Sequence, residues 1–216
     1  MSVHFSSRVD ISDPNPIAAA EAAARANGTA LGKLNDSNPT RHGLAPALVP
    51  NVYTADPRGS YAVREALAAF LNEANADRSQ MNASANTASR GVKPEQLYVL
   101  SSTSEAYSWL IKLLCDAGDA VLAPKPGYPL IESIARLECV DTVEYQLRFD
   151  GSWFIDVAEL EQLLDGLSGA RIRALVLINP NIPTGSYVKP AERERIVTMC
   201  RERGIALIAY EVFFDY

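Results

Sequence analysis

Three short runs in the chain put polar or aromatic groups where a small ligand can be gripped. The first is Ser101-Ser102-Thr103-Ser104-Glu105-Ala106, hydroxyl residues at the mouth of an amphipathic stretch. A helix starting there exposes unpaired backbone N–H groups and the positive end of its dipole, which suits a phosphate dianion. Hydroxyls on Ser101, Thr103 and Ser104 add donors, although the same cluster also serves as an ordinary helix cap. The second run is Pro124-Lys125-Pro126-Gly127-Tyr128-Pro129, in which prolines and a glycine frame an aromatic that can lie flat against a heteroaromatic ring. The third, Asn179-Pro180-Asn181-Ile182-Pro183-Thr184-Gly185, follows the apolar run Ala174–Ile178. Its prolines and glycine force a sharp exit at a strand's carboxyl end, the place where open α/β sheets put their ligands.

These runs need elements to hold them. The patterning predicts strands at Leu97–Ser101, Ala120–Ala123, Asp141–Leu147, Ala174–Ile178 and Ile205–Ala209. Helices are predicted at Ile17–Ala26, from a Ser60 cap to Ala74, and at Ser104–Cys115 and Pro129–Arg136. A capping box at Asp156 opens another to Leu167, and Pro190 at the first helical position opens the last, which closes at Gly204. Val63, Ala66, Leu67, Phe70 and Leu71 make one apolar stripe, and Ala106, Trp109, Leu110, Leu113 and Leu114 another. Asn75–Gly91 reads as a polar surface excursion. Apolar strands alternating with amphipathic helices imply an α/β fold, a three-layer αβα arrangement around a mostly parallel sheet. Residues 1–50 read as an N-terminal arm with part of a small domain, and 51–216 as a large ligand-binding domain.

Composition narrows the classes. A net charge of −6 disfavours a nucleic-acid surface. The longest apolar runs are of strand length, so no membrane span is expected. The first ten residues lack the apolar core of a signal peptide, which points to the cytoplasm. Cys115, Cys139 and Cys200 are far apart and read as buried reduced thiols, while His4 and His42 make no ligand pair; no metal site is expected. A nucleotide-binding reading rests on the Ser-rich turn alone, without Gly-x-Gly-x-x-Gly.

Five collinear blocks over residues 34–216 resemble the class I/II aminotransferases, pyridoxal 5′-phosphate (PLP) enzymes of fold type I. Besides the three runs they are Leu34-Asn35-Asp36-Ser37-Asn38-Pro39-Thr40, with Tyr53-Thr54-Ala55-Asp56-Pro57-Arg58-Gly59, and Ile208-Ala209-Tyr210-Glu211-Val212-Phe213. The resemblance implies the PLP-dependent transferase major domain, incomplete at the C-terminus. It makes Ser102, Thr103 and Ser104 a phosphate cup, Tyr128 the aromatic that stacks on the pyridine, and Tyr53 a phosphate donor to the neighbouring subunit. Ser37 and Asn38 flank the substrate, and Asn181, Ile182, Tyr210 and Phe213 fall at cofactor positions. Amino acids and 2-oxo acids are the implied substrates, and a homodimer the implied assembly. PLP acts as an electron sink for a carbanion at the substrate Cα, and the protein holds and tunes its ring.

The chain departs from that pattern at the ring. Tyr210 stands where the family carries the Asp that keeps the pyridine nitrogen protonated, Ile182 where it carries an Asn on the ring oxygen, and Phe213 where it carries a Tyr. A phenol hydrogen-bonds to a ring nitrogen but does not hold a proton there as an anion does. The five lysines, Lys33, Lys93, Lys112, Lys125 and Lys189, match no Schiff-base position, so no catalytic residue is assigned and the chain reads as an inactive fragment or truncated copy. Two further readings stand beside the aminotransferase: a catalytically silent paralogue or pseudogene product, and a PLP-dependent lyase of the same fold.

Overall fold

The computed structural model of the 216-residue chain describes residues 3–4, 6, 16–32, 39–43, 55–81, 91–166 and 169–213. The chain divides into two compact units, Asp13–Ser101 and Met1–Ser12 with Ser102–Tyr216.

Among its described residues the first unit holds two α-helices, α1 (Pro16–Ala26) and α2 (Tyr61–Met81). Helix α1 follows the alanine-rich pattern and is followed by Gly28 at φ 74°. Helix α2 runs seven residues beyond the expected Ala74, because Asn75–Met81 contains neither Gly nor Pro to stop it. Its apolar stripe is not what it buries. Arg64 and Ala68 are buried, whereas Val63, Leu67 and Phe70 are exposed. The polar side chains set this orientation. Arg64 donates to Gly59 O (3.1 Å), Pro94 O (2.8 Å) and Asp56 Oδ2 (2.8 Å). One turn pair further on, Asn72 clasps Val92 through both its amide groups. The expected strand at 97–101 joins no ladder among the described residues. Val99 N–H is spent instead on Arg58 O (2.9 Å), and Tyr98 and Val99 are exposed.

The second unit is a three-layer αβα structure. Its elements are α3 (Thr103–Leu114), β1 (Ala120–Lys125), α4 (Leu130–Leu137), β2 (Asp141–Phe149), β3 (Trp153–Ile155), α5 (Val157–Asp165), β4 (Ile172–Ile178), α6 (Pro190–Arg203) and β5 (Ala206–Tyr210). The strand order is β3-β2-β1-β4-β5, with β1, β2, β4 and β5 parallel and β3 antiparallel to β2. Strand β3 was not anticipated; it is three residues long, too short to show an alternation.

Alternation along β4 builds both core layers. Leu175 and Leu177 pack with Leu160, Ile196 and Met199 from α5 and α6, while Val176 and Ile178 pack with Tyr107, Ile111, Ile131 and Ile134 from α3 and α4. Each such side chain contributes about 1.5–3 kcal/mol on full burial. Helix α3 turns inward a stripe that overlaps the expected one: Leu114 is buried and Leu110 and Leu113 pack partly buried against the core, but Tyr107 and Ile111 are the other buried residues and Trp109 is half exposed. Two caps form as expected, Asp156 accepting from Glu159 N (3.0 Å) and Gly204 ending α6 in the left-handed region. Ser6 ties the N-terminal segment to this unit through Leu113 O (3.0 Å) and Asp116 (2.6 Å). Cys115 and Cys200 are buried, but Cys139 is exposed, at φ 60° in the turn after α4. Burial pushes the Cys200 thiol up to about 11. No helix among the described residues is long and apolar enough to cross a membrane.

Candidate functional site

Parallel pairing brings the carboxyl ends of β1, β4 and β5 to the same edge of the sheet. The β4 exit is tied to β5 by Asn179 N–H donating to Tyr210 O (2.9 Å), and the Asn179 side chain accepts from Val188 N (2.9 Å). Asn181 then links two exits. Its amide donates to Pro126 O (3.1 Å) in the loop after β1 and to Thr184 Oγ1 (2.9 Å) in its own loop. It is 5% exposed, and its Oδ1 has no partner among the described residues. Gly127 is obligatory in the β1 loop, because a Cβ there would lie 2.2 Å from Pro124 O.

Tyr128, Ile182 and Tyr210 each pack against the core cluster that contains Tyr107. The rings of Tyr128 and Tyr210 are parallel within 7° at a centroid distance of 6.2 Å, and Tyr107 lies tilted against Tyr210 at 5.5 Å. Tyr107 is buried and its hydroxyl has no hydrogen-bond partner among the described residues. Burial first, then the neighbouring Tyr210 and Tyr128, push its ionisation upward, so the phenol stays protonated. Tyr107 belongs to none of the sequence motifs; its place five residues after the Ser102 cap, one turn into α3, was the available signal.

At the neighbouring corner Ser102 caps α3, its side chain accepting from Glu105 N (3.1 Å). Ser102 and Thr103 are exposed and Ser104 is half-buried. A cavity of about 300 Å3 runs from Thr103 along Tyr107 and Leu110 to Tyr210 and Val212. Thr103 and Tyr210 border this cavity, and Tyr128 and Pro183 border a second one, so these two cavities of the described residues divide the expected site between them. They are joined through the Tyr128–Tyr210 contact and the Asn181 bridge. Phe213 is half exposed. Ser37, Asn38 and Tyr53 lie outside the described residues.

The described lysines of this unit are engaged elsewhere. Lys125 pairs with Glu144 (2.8 Å), which raises its amine above the ordinary range and keeps it protonated, the reverse of what a nucleophilic amine needs. Lys112 bonds Ser108 and Glu138, and Lys189 bonds Ser152 and lies over the Phe154 ring.

The fold is that of an α/β protein whose parallel strands end at one edge, the edge at which open sheets of this kind place ligands. A family model described as aminotransferase class I and II matches residues 50–216, and the chain belongs to that family. It is 34% identical over 123 residues to a probable mitochondrial alanine aminotransferase of Dictyostelium discoideum, covering 56% of this chain and 23% of the relative. It is 27% identical over 196 residues to the glutamate-pyruvate aminotransferase of Escherichia coli (strain K12), covering 86% and 44%. The fold matches an alanine aminotransferase from Pyrococcus furiosus with a TM-score of 0.63 at 22% identity, over 95% of this chain and 42% of that one. The chain therefore spans less than half the length of these relatives.

The family implies PLP, and the two ends of the site answer differently to that group. The α3 N-terminus offers the donors a phosphate needs, although Glu105 in the same turn opposes an anion. The ring end does not fit. No carboxylate side chain stands at position 210, Ile182 and Phe213 donate no hydrogen bond, and Tyr210 lies parallel to the aromatic that would receive the pyridine.

Proposed function

We propose that this chain is the ligand-holding part of a class I/II aminotransferase that moves an amino group from an amino acid to a 2-oxo acid. One observation carries the reading: three parallel strand exits, cross-linked by Asn179 and Asn181, meet beside a hydroxyl-capped helix N-terminus. In it Ser102, Thr103 and Ser104 hold a phosphate group, Asn181 fixes the loops after β1 and β4, and Tyr128 stands at the family's stacking position with Tyr210 packed parallel to it. Tyr53 reaches a second copy in a homodimer, with Ser37 and Asn38 beside the substrate. The relatives are alanine and glutamate-pyruvate aminotransferases, so glutamate with pyruvate, and the reverse pair alanine with 2-oxoglutarate, are the first to try.

The test follows label from 15N-alanine into glutamate in the whole protein, with and without added PLP. Transfer that requires PLP is expected. Absence of transfer from alanine, glutamate and aspartate alike contradicts an active enzyme and leaves the second reading, a silent paralogue that retains ligand binding. The parallel packing of Tyr210 on Tyr128 favours that second reading. For the 216-residue chain alone, borohydride treatment in the presence of PLP is expected to label no single lysine stoichiometrically. Stoichiometric labelling of one lysine would show that the chain carries its own attachment site.

A further inference from the structure

Tyr210 ends β5 between two other tyrosines, parallel to Tyr128 at 6.2 Å and tilted against Tyr107 at 5.5 Å. A flat ring inserted between Tyr128 and Tyr210 needs about 7 Å, twice a carbon contact of roughly 3.5 Å. The rings stand closer than that. Room between the two rings appears only if Tyr210 turns away, and the cavity of about 300 Å3 beside Thr103, Tyr107 and Leu110 is the space at its flank. Turning gives up contacts with both neighbouring rings, a loss worth about tenfold to a hundredfold in affinity. Tyr107 adds a second mark of an unusual site: a side chain 3% exposed whose hydroxyl has no partner among the described residues, on the wall of the cavity that Thr103 opens.

We propose that Tyr210, braced on Tyr107, closes the ring-binding face of Tyr128, so that this site takes phosphate monoesters with no preference for one that carries a flat heteroaromatic ring. The proposal rests on the phosphate reading of the α3 N-terminus given above. Tyr210 is in this sense a specificity-determining residue. Its aromatic ring, and not its hydroxyl, is the excluding group.

Equilibrium dialysis of two probes tests it: glycerol 3-phosphate, and 4′-deoxypyridoxine 5′-phosphate, which has the ring and the phosphate but no aldehyde to react with surface lysines. The wild-type chain is expected to bind the two within about threefold of each other. Tyr210→Ala should gain at least tenfold for the ring-bearing probe and leave glycerol 3-phosphate unchanged, while Tyr210→Phe should behave as wild type. Tyr210→Val, which suits a strand, serves if the alanine variant does not fold. Tenfold preference for the ring-bearing probe in the wild type, or no gain in either truncated variant, overturns the closure and leaves the phosphate reading standing. Failure of both probes to bind any folded variant overturns the phosphate reading, and the closure with it.

Discussion

Two buried tyrosines show how much one hydroxyl decides. Tyr145 donates to Val176 O at 2.9 Å inside the core, and Tyr107, equally buried, leaves its hydroxyl without a partner among the described residues. A buried hydrogen bond is worth roughly 0.5–1.5 kcal/mol net, whereas an unpaired buried hydroxyl costs about 1–3 kcal/mol. Tyr145→Phe should therefore destabilise the chain by about 1 kcal/mol, and Tyr107→Phe should leave it unchanged or more stable by about 1 kcal/mol. Urea denaturation of the two variants checks this, and equal losses in both would mean that Tyr107 has a partner in solution. Tyr128, Asn181, Ile182 and Tyr210 all stand in motifs that the sequence displays, but the packing of Tyr210 on Tyr128 is not legible there. A sequence says that position 210 holds a phenol, but only the strand register and the neighbouring loops decide that its ring lies along Tyr128.

At the scale of elements, burial followed polar groups wherever these had fixed partners. Helix α2 was expected to bury Val63, Leu67 and Phe70, and it buries Arg64 because three acceptors converge on that guanidinium. Hydrophobic periodicity carries no information about such a cluster, since its partners come from residues 56–59 and 94. Arg64→Met should cost about 2 kcal/mol by stranding those acceptors. The Arg64 side chain, then the Arg58 backbone amide, hold the Asp56 carboxyl below its ordinary 3.8. The unfolded chain binds that proton more readily, so the contribution is fully present above about pH 4 and fades as pH falls through the lower folded value. Acid titration of stability should show this loss in wild type and a flatter profile in Arg64→Met; superimposable profiles would contradict the pairing. Strand β3 was missed although Asp150-Gly151 gives a turn signal, with Gly151 at φ 106°. Three residues are too few to read a period. The strand expected at 97–101 failed for the opposite reason: its pattern is right, but among the described residues no neighbour offers it a ladder.

For the molecule as a whole, a match over residues 50–216 and the order β3-β2-β1-β4-β5 settle the family and the αβα architecture, the first anticipated from five short blocks and the second from the alternation of apolar strands with amphipathic helices. The division of labour along the sheet's carboxyl edge is the central claim: a phosphate end at α3, and a ring end closed by tyrosine. The most direct measurement is a 1H–15N NMR titration of the chain with inorganic phosphate. The account predicts saturable shifts in the Thr103 and Ser104 amides, with the amides at the N-terminus of α6 unmoved. Shifts spread over surface lysines and arginines, with Thr103 and Ser104 silent, would contradict it.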